Sequence, residues 1–190
     1  MQNLIVKYQS CWETNFEKIK EVIQSELEGL EVRIEHIGST AVRNLAAKPI
    51  IDIDISYHGS VKFYQVKNKL GKLGYNHIGN LGIQGREVFK RENRKYDHQI
   101  LDNIAHHLYV CPIDSPEFIR HILFRDYLRN NENARMEYEI LKLSIAKQAN
   151  QVHKDYAYIK EILAKEFIES ILRKAKENPQ SKSPHQSKRL

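Results

Sequence analysis

The chain has 190 residues, of which 41% are hydrophobic, and it carries a formal net charge of +6. This size and composition fit one globular domain, with or without a helical extension, that folds without disulfides or metals. They exclude an integral membrane protein, because no apolar run approaches the roughly 20 residues of a membrane span. The N-terminus shows no signal peptide and Cys11 and Cys111 stand far apart, so we expect a cytoplasmic protein with reduced thiols.

The positive charge is concentrated at the C-terminus. Residues 173–190 contain six Lys or Arg and one Glu, so they carry +5 of the total of +6 and leave about +1 for residues 1–172. The last part, residues 176–190, lacks core-forming side chains and is predicted to be a disordered basic tail. Such a tail can touch RNA or acidic surfaces, but the nearly neutral body makes a nucleic-acid partner the less favoured interpretation.

Hydrophobic periodicity predicts the first elements in chain order. Apolar residues at helical spacing predict a helix from Trp12 to about Leu27. Strict alternation over residues 31–37 predicts a strand, which Gly38-Ser39-Thr40 ends abruptly. A short helical turn is expected next, and after Pro49 a second strand runs from Ile50 to Ile55.

The remainder of the chain changes from strands to helices. A helix is predicted over residues 61–73, and strands over 75–78, 86–91 and 105–111. Three further helices are predicted around the apolar residues of 118–128, 138–149 and 156–172. Because the strands cluster early and the helices late, the fold class is predicted as α+β. We expect an α/β core over 1–113, a helical segment packed on that core over 114–175, and the basic tail over 176–190.

The second strand carries two acids. Residues i and i+2 of a strand point to the same face, so Asp52 and Asp54 share one face while Ile51, Ile53 and Ile55 face the core. Two neighbouring carboxylates repel one another unless a cation lies between them. Mg²⁺, or Mn²⁺ in its place, suits such a pair, because Mg²⁺ takes one or two carboxylates and fills its other positions with water and substrate phosphates.

The turn before this strand predicts a phosphate site. Gly38 lets the backbone approach a ligand closely, and a helix starting at Thr40 would aim the N–H groups of Ser39, Thr40 and Ala41 at an anion. Lys48, just before the strand, either reaches a phosphate or is a solvated lysine at a strand edge. Taken alone, an Asp-x-Asp strand is typical of an exposed edge, and Gly-Ser-Thr of a helix cap. Their combination at this spacing favours a functional site.

The stretches HIGSTAV (36–42) and AAKPIIDI (46–53) resemble the signature of the GrpB family in the nucleotidyltransferase superfamily. The resemblance extends over roughly residues 6–175, including KYQSCWETNF (7–16) and FRDYLR (124–129). It implies a nucleotidyltransferase-like small mixed sheet with helices. It also implies transfer of a nucleoside monophosphate from a triphosphate to a hydroxyl, with Gly38 and Ser39 holding the triphosphate and Asp52 and Asp54 binding Mg²⁺.

One strand departs from the superfamily pattern. Many members place a third carboxylate on a later strand, whereas the corresponding stretch here, AHHLYVC (105–111), offers His107 and Tyr109 but no acid. The GrpB family more often has His-apolar-His at this place. His107 is therefore the catalytic candidate on this strand, and a complete two-metal site is not predicted.

The preferred interpretation is a nucleotidyltransferase that uses Gly38, Ser39, Asp52 and Asp54 on a Mg-bound nucleoside triphosphate. Two alternatives stay open: a nucleotide- or phosphometabolite-binding module without turnover, and an RNA-binding accessory protein that uses the basic tail. The sequence names neither the nucleotide, the acceptor nor the oligomeric state.

Overall fold

The computed structural model describes residues 3–91 and 97–177, so most of the predicted tail, residues 178–190, lies outside the described residues. The helices are α1 (Cys11–Glu26), α2 (Phe63–Lys72), α3 (Gln99–Asn103), α4 (Pro116–Asn130), α5 (Glu132–Gln148), α6 (His153–Leu163) and α7 (Lys165–Glu177). The strands are β1 (Val32–Ile37), β2 (Ile51–Tyr57), β3 (Asn76–His77), β4 (Glu87–Lys90) and β5 (His106–Pro112). The fold is thus α+β, as predicted. None of these helices combines the length and apolar character that crossing a membrane requires.

The strands form one mixed sheet in the order β1-β2-β5-β4-β3. Strand β2 is parallel to β5, and the other neighbouring pairs are antiparallel. Asp52 lies opposite His107 and Asp54 opposite Tyr109 in the β2–β5 register. Since the side chains of paired residues lie on the same face, these four residues share one side of the sheet.

The other face of the sheet packs on the first hydrophobic core. Ile51, Ile53 and Ile55 are at most 1% exposed and belong to this core, which confirms the orientation predicted from the alternation. Helix α1 covers them with its own apolar stripe, including Phe16 and Ile19. Burying one fully apolar side chain contributes about 1.5–3 kcal/mol, so the isoleucines of β2 fix which face its two aspartates take.

A second core joins the helical segment to the N-terminal half. It contains Leu4 and Ile5, Val42 and Leu45 from the stretch after the turn, and apolar residues of α4 to α7 such as Tyr138 and Ile171. The segment before β2 is therefore enclosed between the sheet and the helices.

Two sequence predictions differ from the observed elements. The predicted third C-terminal helix is two helices, α6 and α7, which meet at the fully buried Ala164. No Gly, Pro or Asn marks the break, so hydrophobic periodicity extends through it. The five-residue helix α3 was not predicted, and a helix this short leaves little periodicity to detect.

Candidate functional site

A cleft of about 570 Å³ opens between the polar face of the sheet and helices α4 to α7. Its sheet side carries Asp52, His107 and Tyr109, and the turn before β2 contributes Ser39 and Thr40. The opposite walls are basic: the cations that line the cleft are Lys48, Arg120, Lys142, Lys160 and Lys165. Two further acids, Glu161 and Glu169, lie at its helical side. The cleft therefore places a carboxylate of the sheet opposite several cations.

Asp52 is partly exposed and bound by its neighbour on β5. Its side chain is 30% exposed, and His107 Nδ1 donates to Asp52 Oδ1 at 2.9 Å. This contact leaves Nε2 of His107 as the second ring nitrogen, on a side chain that is 51% exposed. A carboxylate that accepts a hydrogen bond from Nδ1 orients the histidine, whose Nε2 can then accept a proton.

Gly38 packs directly against Asp52. Its φ is 70°, and a Cβ added to it would overlap Asp52 Oδ2. Both the left-handed backbone and the lack of space require glycine at this position. The glycine of the signature therefore brings the turn and the first aspartate together.

The turn itself is shorter than predicted. Instead of a helix starting at Thr40, Ser39–Ala41 form a single 3₁₀ turn, so a helix dipole contributes little to anion binding here. Thr40 is 1% exposed, and its hydroxyl donates to Ile50 O at 3.3 Å and contacts His36 Nε2 at 3.0 Å. Its side chain thus supports the turn, whereas Ser39 remains partly exposed at the cleft.

Asp54 lies behind the cleft. Its side chain is fully buried, and His121 Nδ1 of α4 donates to Asp54 Oδ2 at 2.8 Å. Among the described residues Asp54 Oδ1 has no hydrogen-bond partner. Burial raises the pKa of Asp54, and the hydrogen bond from His121 opposes that rise. His121 was missed by sequence reasoning, because it lies 67 residues from its partner on a separate helix.

Two arginines of α4 hold the turn before β2. Arg125 Nη1 donates to His36 O at 2.9 Å, and Arg129 Nε donates to Ala41 O at 2.9 Å. Arg125 is 6% exposed and is also paired with Glu35 and Asp126 at 2.8 and 2.7 Å. Helix α4 therefore binds the turn on both sides of Gly38 as well as the buried Asp54.

The basic wall is only partly solvated. Lys142 is 1% exposed, donates to Ala46 O, and has its ammonium 4.8 Å from the centroid of the Tyr138 ring. Burial, aided by Lys160, lowers the pKa of Lys142 to about 7. The Lys48 ammonium lies 4.2 Å from the centroid of the Tyr156 ring. Burial, and after it the charge of Lys160, lowers the pKa of Lys48 as well. Amines that repel one another in a partly dry cleft favour an anion between them.

The predicted site residues thus fall into two layers. Gly38 packs against Asp52, and the residues that line the cleft itself are Ser39, Thr40, Lys48, Asp52 and His107. Asp54 forms the second layer with His121. Within residues 3–91 and 97–177, no group of three or more His, Cys, Asp or Glu side chains is placed to hold a metal ion by itself.

Comparisons with known proteins connect this geometry to a family. The family model described as GrpB protein matches residues 3–174. The UPF0157 protein YqkA of Bacillus subtilis is 35% identical over 75% of this chain. The match covers only 38% of that relative's length. The glutamate-rich protein GrpB of Alkalihalophilus pseudofirmus is 33% identical over 89% of the chain and 93% of the relative.

Solved structures show the same fold. The crystal structure of conserved protein GrpB from Enterococcus faecalis matches with a TM-score of 0.72 and 29% identity, covering 90% of this chain and 98% of that chain. The Cid1 poly(U) polymerase with MgGTP bound matches with a TM-score of 0.52 and 11% identity, covering 77% of this chain and 46% of that chain. The second likeness concerns the fold alone.

Proposed function

The chain belongs to the GrpB family and has a nucleotidyltransferase-like fold, and we propose that its cleft binds a Mg-nucleoside triphosphate. In the proposed reaction the chain transfers a nucleoside monophosphate to the hydroxyl of an acceptor. The observation that carries the proposal is the packing of Gly38 against Asp52, which lines a cleft with a lysine-rich opposite wall. Triphosphates need both a metal-binding carboxylate and cations for the remaining phosphate charge.

The carboxylates of β2 fit Mg²⁺, or Mn²⁺ in its place. Asp52 faces the cleft, and Asp54 Oδ1 is a buried acceptor without a partner among the described residues. Two carboxylates, with no larger ligand cluster among the described residues, suit an ion that completes its shell with water and phosphate oxygens. When bound, the ion would neutralise charge on the phosphates. Asp52 and Asp54 would hold it, and His121 would keep Asp54 oriented.

The cleft residues have separate parts in the proposed transfer. Lys48, Lys142 and Lys160 would bind phosphate oxygens, and His107, oriented by Asp52, would take the acceptor's proton at Nε2. The hydroxyl oxygen forms the new bond to the α-phosphorus, the bond between the α- and β-phosphates breaks, and pyrophosphate leaves. The fold relatives support this class of chemistry, since one was determined with MgGTP and another with the UTP analogue UMPNPP.

Calorimetric titration tests the proposed binding. Each nucleoside triphosphate is titrated with Mg²⁺ into the wild type, Asp52→Ala and the control Asp114→Ala, whose carboxylate is exposed and lies outside the cleft. We expect Asp52→Ala to lose roughly tenfold or more in affinity, since contacts to charged groups contribute about 1.5–3 kcal/mol. Asp114→Ala should bind as the wild type does. Equal affinity of Asp52→Ala and wild type would reject the site.

A second candidate function is nucleotide or phosphometabolite binding without turnover. Two observations favour it: Tyr109 of β5 is the strand partner of Asp54 of β2, and Asp54 is buried against His121. Pyrophosphate release measured over a panel of hydroxyl acceptors separates the two functions. Release that disappears in Asp54→Asn supports transfer, while tight binding without release supports the module.

A further inference from the structure

A second cleft, of about 870 Å³, lies beside the same turn but shares no lining residue with the first. His36 and Ala41 of the turn region contribute to it, together with residues of α1 and of the α4–α5 region. Its charged lining residues are Glu13, Glu17, Arg43, Arg129 and Arg135. Its volume is in the range of small-molecule sites.

The two acids of this cleft are already paired. Glu13 accepts hydrogen bonds from Arg43 Nε and Nη2 at 2.7 and 2.8 Å. Together with a hydrogen bond from the Tyr8 hydroxyl, these bonds lower the pKa of Glu13 to about 2. Glu17 pairs with Lys20 at 3.4 Å. Among the described residues neither carboxylate forms an ion pair with Arg129 or Arg135, although Glu13 is near enough for its charge to act on Arg129.

Arg129 and Arg135 have longer contacts to carboxylates than Arg43 has. Arg129 Nε donates to Ala41 O at 2.9 Å, and Arg129 Nη1 approaches Asp126 Oδ1 at 3.6 Å, an oxygen that also accepts from Arg125 at 2.7 Å. Arg135 is 15% exposed, yet its contacts are long: Glu132 Oε1 at 3.7 Å and Leu128 O at 3.5 Å. A guanidinium has five N–H donors. Arg135 is largely buried and makes only long contacts, and Arg129, which is 40% exposed, uses its Nε for Ala41 O, so both side chains keep N–H groups for a further anion.

Two uncharged rings, those of Phe16 and His36, also line the second cleft. The His36 ring stacks on Phe16 with centroids 4.7 Å apart. Burial, with Arg129 as the next cause, lowers the pKa of His36 to about 4, so this imidazole is neutral at pH 7. Such a pair of rings suits the organic part of a ligand rather than its charge.

We propose that the second cleft is a separate binding site for a phosphorylated small molecule, whose phosphate is held by Arg129 and Arg135. The planar guanidinium fork matches phosphate oxygens in a bidentate manner, which an ammonium group does not. The organic part of the ligand packs on the His36 and Phe16 rings. The site does not depend on nucleotide binding in the first cleft.

NMR titration of the full chain with inorganic phosphate and with phenyl phosphate tests this site, followed by the arginine Nε–Hε signals. We expect the Arg129 and Arg135 signals to shift together and to saturate, with phenyl phosphate binding more tightly than phosphate. Arg135→Gln should weaken binding roughly tenfold or more. The exposed Arg173→Gln serves as the matched control and should change nothing.

Two further variants make the test independent of folding defects. Glu13→Gln releases Arg43 from its carboxylate, so it should tighten binding. Lys160→Gln alters only the first cleft and should leave binding unchanged. The proposal is overturned by unsaturable shifts, by equal affinity of Arg135→Gln and wild type, or by loss of binding in Lys160→Gln, which would place the anion in the first cleft.

Discussion

Replacing Lys142 with methionine should stabilise the protein at pH 7 while weakening anion binding in the first cleft. The side chain is 1% exposed, and its ammonium donates to Ala46 O. Methionine has nearly the same shape but no charge to remove from water. The variant therefore isolates the free energy that burial of this amine costs.

The magnitude follows from the pKa of Lys142, which burial lowers from 10.5 to about 7. At pH 7 the unfolded chain holds this proton fully and the folded chain about half, so the lysine lowers the free energy of unfolding by about 4 kcal/mol. Losing the hydrogen bond to the Ala46 carbonyl costs the variant about 1–3 kcal/mol. The net stabilisation by Lys142→Met is then about 2 kcal/mol at pH 7.

The pH dependence gives the decisive sign. Between pH 7 and 10.5 the unfolded chain binds more protons at this group than the folded chain, so wild-type stability gains with rising pH. The advantage of the variant should fall by about 3 kcal/mol between pH 7 and 9.5. Urea denaturation at both values measures it, with the exposed Lys147→Met on the same helix as control. A variant less stable than wild type at pH 7, or a difference that does not change with pH, refutes the reasoning.

Three other perturbations have defined outcomes. Gly38→Ala should destabilise the protein by about 2 kcal/mol or more, because the left-handed backbone strains alanine and its Cβ overlaps Asp52, and it should abolish nucleotide binding. The control Gly71→Ala, whose added Cβ meets no atom within 4 Å, should not destabilise the protein in the same denaturation assay. Because the pKa of His36 is lowered to about 4 in the folded protein, the unfolded chain protonates this histidine first as the pH falls. About 3 kcal/mol of stability should therefore disappear between pH 6.5 and 4. A His36→Gln variant that loses the same amount contradicts this explanation. Arg125→Met removes the guanidinium that is paired with the buried Asp126, so it should lower the free energy of unfolding by about 3–5 kcal/mol. A loss under about 1 kcal/mol in urea would argue against that pairing.

The sequence predicts the architecture well where periodicity is local. The alternation of isoleucine and aspartate in β2 is enough to determine which side chains enter the core, and the isoleucines are buried as expected. The α6–α7 break at Ala164 could not be predicted, because the chain bends there without a residue that disfavours helix.

The candidate site is predictable only in the part that is contiguous in sequence. Gly38 and Asp52 can be placed together from the signature, although the reason for the glycine is its contact with the aspartate itself. Contacts that come from distant helices leave no local signal. His121 and Lys142 reach the site only through the packing of the helical segment, and ordinary helical spacing does not distinguish them from surface residues.

Helix α4 also has a consequence for how the molecule is made. His121, Arg125 and Arg129 respectively bind Asp54, the carbonyl of His36 and the carbonyl of Ala41. During synthesis these three side chains emerge from the ribosome well after the strands they hold. A nascent chain that ends before α4 would carry a buried acid without its histidine and a turn without its arginines. The proposed ligand site is therefore complete only after α4 has been synthesised.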